Sequence, residues 1–385
     1  MYEVPSGSKV FDWVIPEEWN ITEAWIKTPD GRKICNFNNN NLHVVGYSES
    51  INKTLDLKEL NKHLHSIPSK PDAIPYITSY YKKEWGFCIS ETERRQLPDG
   101  EYQVYINSDF STGSLTYGEL IIPGKINKEV FLSTYICHPS MANNELSGMS
   151  VTTFLAEWIK QAQRRYTYRI IFVPETIGSI TYLSRNLTEM KRNIIAGFNI
   201  TCVGDERNYS YLPSRKGNTL SDEVAKHILK HIDNKFVSYN WKDRGSDERQ
   251  YCSPKADLPV VSIMRTNYGE YEEYHTSLDN LENVVTPNGL QGGFNAIKLA
   301  LEAIENNYYP ITNIIGEPHL SRRGLYPQNT DDETVNNVRL LTDFLTYSDG
   351  QTSLLEIANK CDVAVWKLYD VMNLLCEEKI VHLKE

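Results

Sequence analysis

Six side chains of types that bind metals or move protons stand out in this 385-residue sequence, several of them where apolar runs end. His138 follows the run Val130 to Ile136, and Glu145 comes seven residues later in "TYICHPSMANNELSG". Glu175 directly follows the run in "IIFVPETIG", Asp247 lies in "RGSDERQY", and His275 and Asp279 lie in "YEEYHTSLDN". Neutral imidazole and carboxylate are the usual zinc ligands. A further carboxylate beside a metal can act as general base toward a bound water. Each residue also has a plainer reading. A lone histidine is more often structural, Glu175 could be a helix N-cap carboxylate after Pro174, and Asp247 sits in a charged loop. Asp279, four residues after His275, could orient that imidazole by accepting its other N–H. Taken together, His138, Glu175, Asp247 and His275, two histidines and two acids on separate strand ends of one sheet, can converge on one cleft.

The elements that must position them can be read from the pattern. From residue 128 to 306, strand-like runs ("EVFLSTYI", "YRIIFVP", "NIIAGFNITCV", "LPVVSIMR") alternate with helical patterns at 147–163, 179–189 and 220–232, and a helix follows at 289–306. This order predicts an α/β fold with a doubly wound mixed sheet, in which ligands bind at the carboxyl ends of the strands. Ahead of it, residues 53–124 alternate apolar and polar positions between Gly and Pro punctuation, as in "EYQVYINSDF" and "GSLTYGELIIPG". They read as an inserted small β subdomain. Residues 316–385 read as a C-terminal winged helix-turn-helix: helical patterns at 333–347, 353–359 and 364–377, a capping box in "SLLE", and "KIVHLKE" as terminal strand.

Composition narrows the partners. A net charge of −10 disfavours nucleic acid or an anionic membrane. No apolar run approaches the roughly 18–20 residues of a membrane helix, and "MYEVPSGSKVFDW" is not a signal peptide. Seven scattered cysteines without CxxC spacing point to reduced thiols and a cytoplasmic address. From Arg339 to Glu385 there are five Lys/Arg against eight Asp/Glu, so the winged helix is a poor DNA reader. Its apolar helix "AVWKLYDVMNLL" suits a protein contact, such as a homo-oligomer interface.

In order, "HPSMANNELSG", "VPETIG", "GSDERQY" and "EYHTSLDN" resemble the motifs of zinc-dependent aminopeptidases with the phosphorylase/hydrolase fold. The wider layout resembles a group of uncharacterised aminopeptidase-like proteins, some labelled polysaccharide-biosynthesis proteins, with a β insertion before the core and a winged helix after it. The resemblance makes residues 1–52 the N-terminal part of the aminopeptidase-like domain and 125–315 its α/β core. The group's N-terminal helices would precede "PSGSKVFDW". The departures are specific. The family's bridging aspartate falls on Asn144, the second acid of E-E-x-G on Thr176, and the aspartate after the next strand near Thr201, with Asp205 slightly later.

A neutral Asn cannot bridge two cations, so the resemblance with these changes implies one zinc ion, held by His138, Glu145 and His275. Glu175 would activate the metal-bound water, and Asp247, Asp279 and Asn144 would support the ligands or the substrate. The implied activity is a mononuclear zinc aminopeptidase or related amide hydrolase acting on a small peptide or aminoacyl-type substrate. The alternative is a catalytically weak or inactive aminopeptidase-like binding protein linked to polysaccharide biosynthesis.

Overall fold

The structure is a computed structural model, and it describes residues 1–80, 82–325 and 332–384. Two compact units divide the chain: residues 1–217 with 237–294, and residues 218–236 with 295–385.

The strands of the first unit that matter here are, in chain order, β1 (Tyr2–Pro5), β2 (Glu18–Lys27), β3 (Lys33–Ile34), β4 (Ile51–Asp56), β5 (Glu101–Ser111), β6 (Ser114–Ile122), β7 (Ile126–Tyr135), β8 (Tyr166–Val173), β9 (Ile194–Asn199), β10 (Ser210–Leu212), β11 (Val237–Ser238) and β12 (Val260–Met264). An eight-stranded mixed sheet runs β1-β6-β8-β7-β9-β12-β10-β11. Its centre, β8-β7-β9-β12, is parallel, while β6 and β10 join antiparallel. Residues 129 to 135 of β7 are all buried, as expected where both faces of a parallel sheet are covered. Helix α1 (Ser147–Lys160) follows β7 and α2 (Ile177–Asn193) follows β8. Phe131, Ile171 and Val173 of the sheet pack with Ile180, Tyr182 and Leu183 of α2 in one core. The successive βα units leave the ends of β7, β8, β9 and β12 at one edge, where the candidate residues begin.

A separate four-stranded sheet, β3-β2-β5-β4, makes the small β subdomain. It is closed by its own core of Ala24, Ile26, Leu60, Leu64, Phe87, Val104 and Ile106. The boundary differs from the one read from alternation. Strand β2 belongs to this sheet although it precedes residue 53, and β6 leaves it to extend the main sheet beside β8. Alternation marks a half-buried strand but carries no information about which sheet receives it.

In the second unit, α3 (Leu220–Ile232), α4 (Pro287–Glu305, which begins in the first unit), α5 (Asp332–Thr346), α6 (Leu354–Cys361) and α7 (Lys367–Glu377) accompany the antiparallel pair β13 (Tyr309–Thr312) and β14 (Val381–Lys384). The capping box is present: the Ser353 amide donates to Glu356 Oε2 at 2.7 Å and the Glu356 amide to Ser353 Oγ at 3.3 Å. Helix α3, expected in the α/β core, groups with this unit. Its His227 accepts the Val365 amide at Nε2 (2.9 Å) and donates from Nδ1 to Asn359 Oδ1 (2.7 Å). Residues 326–331 and Glu385, within the expected winged-helix region, lie outside the described residues. All seven cysteines are free thiols.

Candidate metal centre

After β7 the chain bends through Cys137 and His138 and winds into one π-helical turn, Ala142–Leu146, before α1. Such turns widen the helix and are frequent at functional sites. Asp279 holds this one. Its carboxylate accepts the amides of Asn143 (2.6 Å) and Asn144 (3.0 Å) and the hydroxyl of Tyr271 (2.9 Å), and its own carbonyl accepts the Ala142 amide. Asn143 spans to the segment after β9, donating to Asp205 Oδ2 (3.1 Å) and accepting the Gly204 amide (2.8 Å). Gly148 opens α1 where a Cβ would collide with the carbonyl of Ile200. The S-G step is therefore a packing requirement.

The buried Glu145 stands behind His138. One oxygen accepts the Cys137 amide and the other lies 3.0 Å from His138 Nδ1. Accepting from Nδ1–H fixes the tautomer that leaves Nε2 with its lone pair. On that side Glu175 Oε2 lies 3.4 Å away, and Ser246 donates to Glu175 Oε1 at 2.8 Å. The next residue, Thr176, has φ +63°, a strained value for a β-branched side chain. Asp247 secures it, accepting the Thr176 amide at 2.7 Å and the Ser179 hydroxyl at 2.9 Å through Oδ1.

His275 also has positive φ, +53°, and Tyr274 stacks on it at 3.9 Å. The rings of His138 and His275 are 5.0 Å apart, and Tyr76 meets both edge-on at 5.0 and 5.2 Å. Segment 74–77 of the β subdomain pairs with the His275 loop: Tyr76 donates its amide to His275 O, and Ser277 donates to Ile74 O. A cavity of about 850 Å³ opens there, lined among others by Trp13, Tyr47, Tyr80, Glu175, Arg249 and the two histidines.

Burial with too much negative charge shapes the electrostatics. Burial pushes the Glu175 carboxyl up, only partly opposed by His138 and Ser246. Burial, then the charge of Glu175, pushes Asp247 well above the carboxylate range. Burial lowers His138, but the Glu145 hydrogen bond and the charges of Glu175 and Glu145 outweigh it and the net shift is upward. Burial, and then His138, lower His275 to about 3, so it is a neutral imidazole at pH 7. His275 Nε2, Asp247 Oδ2 and Asn144 Oδ1 are buried without a hydrogen-bond partner. The residues thus fit a divalent cation: the neutral His275, crowded carboxylates and orphaned acceptors are what an ion satisfies.

The structure brings His138, Glu175, His275 and Asp247 together, but gives several residues other tasks than their expected ones. Both Glu145 oxygens are engaged, one by the Cys137 amide and one by His138 Nδ1. Asp279 holds the π-helical turn and not the His275 ring. Asn144 donates from Nδ2 to Tyr135 Oη at 2.9 Å, and Tyr135 Oη bonds Thr201 Oγ1 at 2.6 Å. Asp205 is consumed structurally, accepting from Thr266, Arg207 and Asn143. Three contributors were not singled out from sequence: Ser246, Tyr76 and Cys137. Only Cys137 carried a signal, its place beside His138 at a strand end.

The fold and this site define an aminopeptidase-like α/β protein with a C-terminal winged helix. The zinc aminopeptidase BSAP of Bacillus subtilis superposes with a TM-score of 0.55 over 75% of this chain and 84% of that one, at 15% identity, which is a likeness of fold. The chain belongs to the family of a domain of unknown function, DUF4910, whose model matches residues 1–307, and a winged helix-turn-helix model matches residues 308–383. It is 43% identical over 363 residues to a "Putative polysaccharide biosynthesis protein with aminopeptidase-like domain" of Clostridium acetobutylicum, covering 94% of this chain and 83% of that protein. The crystal structure of a "putative peptidase" from Clostridium acetobutylicum matches with a TM-score of 0.92 and 40% identity, over 100% of this chain and 87% of that one.

Proposed function

We propose that this protein is a metal-dependent amide hydrolase of the aminopeptidase type, using one zinc ion on a small peptide or aminoacyl-type substrate. The observation that carries the reading is the buried, charge-crowded meeting of His138, His275 and Glu175 at the carboxyl ends of parallel strands, with His275 Nε2 unpaired. His138 and His275 would hold the ion. When bound, it would polarise the scissile carbonyl and acidify a water. Glu175 takes the proton of the attacking water and returns it to the leaving amine; Ser246 fixes its other oxygen, and Asp247 fixes the turn that carries it. Tyr76, Trp13, Tyr47 and Tyr80 line the cavity beside these residues. One ion is favoured over two because the positions of the family's other acids are the neutral Asn144, Thr176 and Thr201.

Those same neutral positions favour a second reading, an aminopeptidase-like binding protein without turnover. The name of the 43% identical relative points this reading to polysaccharide biosynthesis. No helix among the described residues is long and apolar enough to cross a membrane. We read the protein as cytoplasmic, with its winged helix as a contact between copies and not a nucleic-acid reader.

The test is metal content and turnover on a panel of aminoacyl amides for the full chain and Glu175→Gln. The variant should keep most of the zinc and lose roughly 10²–10⁴-fold in rate. Full activity in the variant overturns the base role, two tightly bound ions per chain overturn the mononuclear site, and no turnover by the unmutated protein puts the binding reading ahead.

A further inference from the structure

We infer that Cys137 supplies a thiolate ligand to the ion of this site, an inference that rests on the metal site proposed above. Cys137 Sγ, a nitrogen of His138 and a carboxylate oxygen of Glu175 all lie within 4.8 Å of one another. Among the described residues no other three His, Cys, Asp or Glu donors come together in this way. The sulphur lies 3.4 Å from His138 Nδ1, the nitrogen that Glu145 also meets.

An ion on two neutral imidazoles in a buried pocket needs an anionic donor, because two imidazoles do nothing to offset its charge. Most of the carboxylate oxygens that could serve are committed. Both oxygens of Glu145 are taken by Cys137 N–H and His138. Both oxygens of Asp279 and of Asp205 are taken by backbone and hydroxyl donors. Asp247 has one oxygen on Thr176 and Ser179. Glu175 has one oxygen on Ser246, and the proposed function keeps the other as base. The positions after β7 and β8 that could have carried another acid are Asn144 and Thr176. Of the donors left, Asp247 Oδ2 is unpartnered but does not group with His138 and Glu175, whereas Cys137 does.

Its thiol proton leaves to solvent as the metal–sulphur bond forms and the ion sheds a water, with no change of oxidation state. Two imidazoles, one thiolate and an open position make a four-coordinate zinc site of catalytic type, and a thiolate favours zinc over magnesium or calcium.

Zinc-edge X-ray absorption on the zinc-loaded full chain tests this without a variant. The expected shell has one sulphur at about 2.3 Å with nitrogen and oxygen at about 2.0–2.2 Å. Cobalt loading gives a second readout: a near-ultraviolet sulphur-to-cobalt charge-transfer band in the unmutated chain. Cys137→Ser should lose that band while circular dichroism and the visible cobalt bands persist. Binding of one ion with a shell of nitrogen and oxygen only overturns the thiolate and leaves the hydrolase reading standing. A sulphur signal that survives in Cys137→Ser assigns it to another cysteine and also overturns it. Failure of zinc and cobalt to bind the unmutated chain overturns both.

Discussion

Replacing Glu145 with Gln separates an orienting carboxylate from a ligand. In the structure Glu145 needs two acceptors, one for the Cys137 amide and one for His138 Nδ1–H. A glutamine has one carbonyl oxygen and one NH2. If the oxygen stays with Cys137, the NH2 faces His138 Nδ1, and the imidazole prefers the tautomer with its proton on Nε2. That nitrogen then has no lone pair for an ion. If the side chain turns over, the amide of Cys137 is left facing a donor and the bend after β7 is weakened. Either arrangement costs what carboxylates behind metal-binding histidines are worth, 10–100-fold in affinity by the general scale, or about 1.4–2.7 kcal/mol. The assay is a competition titration of zinc on the full chain against a chromophoric chelator, with circular dichroism to check the fold. Affinity unchanged within about twofold would refute the orienting role. A loss well beyond the 10–100-fold range would return Glu145 to the ligand set inferred from sequence.

Asp279→Asn should destabilise the first unit by roughly 2–4 kcal/mol, because a carboxylate that accepts from two amides and a hydroxyl becomes a group with one acceptor. Urea unfolding measures it, and an unchanged midpoint would show that the π-helical turn does not depend on Asp279. The second unit should lose stability in mild acid through His227, whose ordinary value of 6.5 is lowered to about 4, chiefly by burial. The sign follows from proton uptake. Below about pH 6.5 the unfolded chain binds a proton that the folded His227 refuses, so stability falls with pH until about 4 and then levels. At pH 5 the expected loss is about 2 kcal/mol. His227→Gln should flatten this segment of the pH profile, and an equally steep profile in the variant would assign the effect elsewhere.

Much of the fold was legible because its signals are local. Apolar runs of strand length alternating with 3.6-residue periodicity specify βα units, and a capping box specifies a helix start. The limits of those elements matched closely: the helix expected at 220–232 is Leu220–Ile232. The sheet that receives a strand was not legible. Strand β6 has the same alternation as β5 yet pairs with β8, because alternation records only that one face is buried.

The sequence by itself placed His138 and Glu175 just after the ends of neighbouring strands, on the edge where parallel βα units put their carboxyl ends, with His275 in the loop after a further strand. It also determined that Asn144 and Thr176 are uncharged, which is composition at a position. Only the tertiary structure decided what each neighbouring carboxylate does. Glu145, Asp247 and Asp279 are chemically alike and each has two oxygens to satisfy. Which donors reach them depends on loops separated by 71 residues (Thr176 and Asp247) or 136 residues (Asn143 and Asp279). A buried carboxylate takes the donors that the packing brings within about 3 Å. No spacing along the chain encodes that distance.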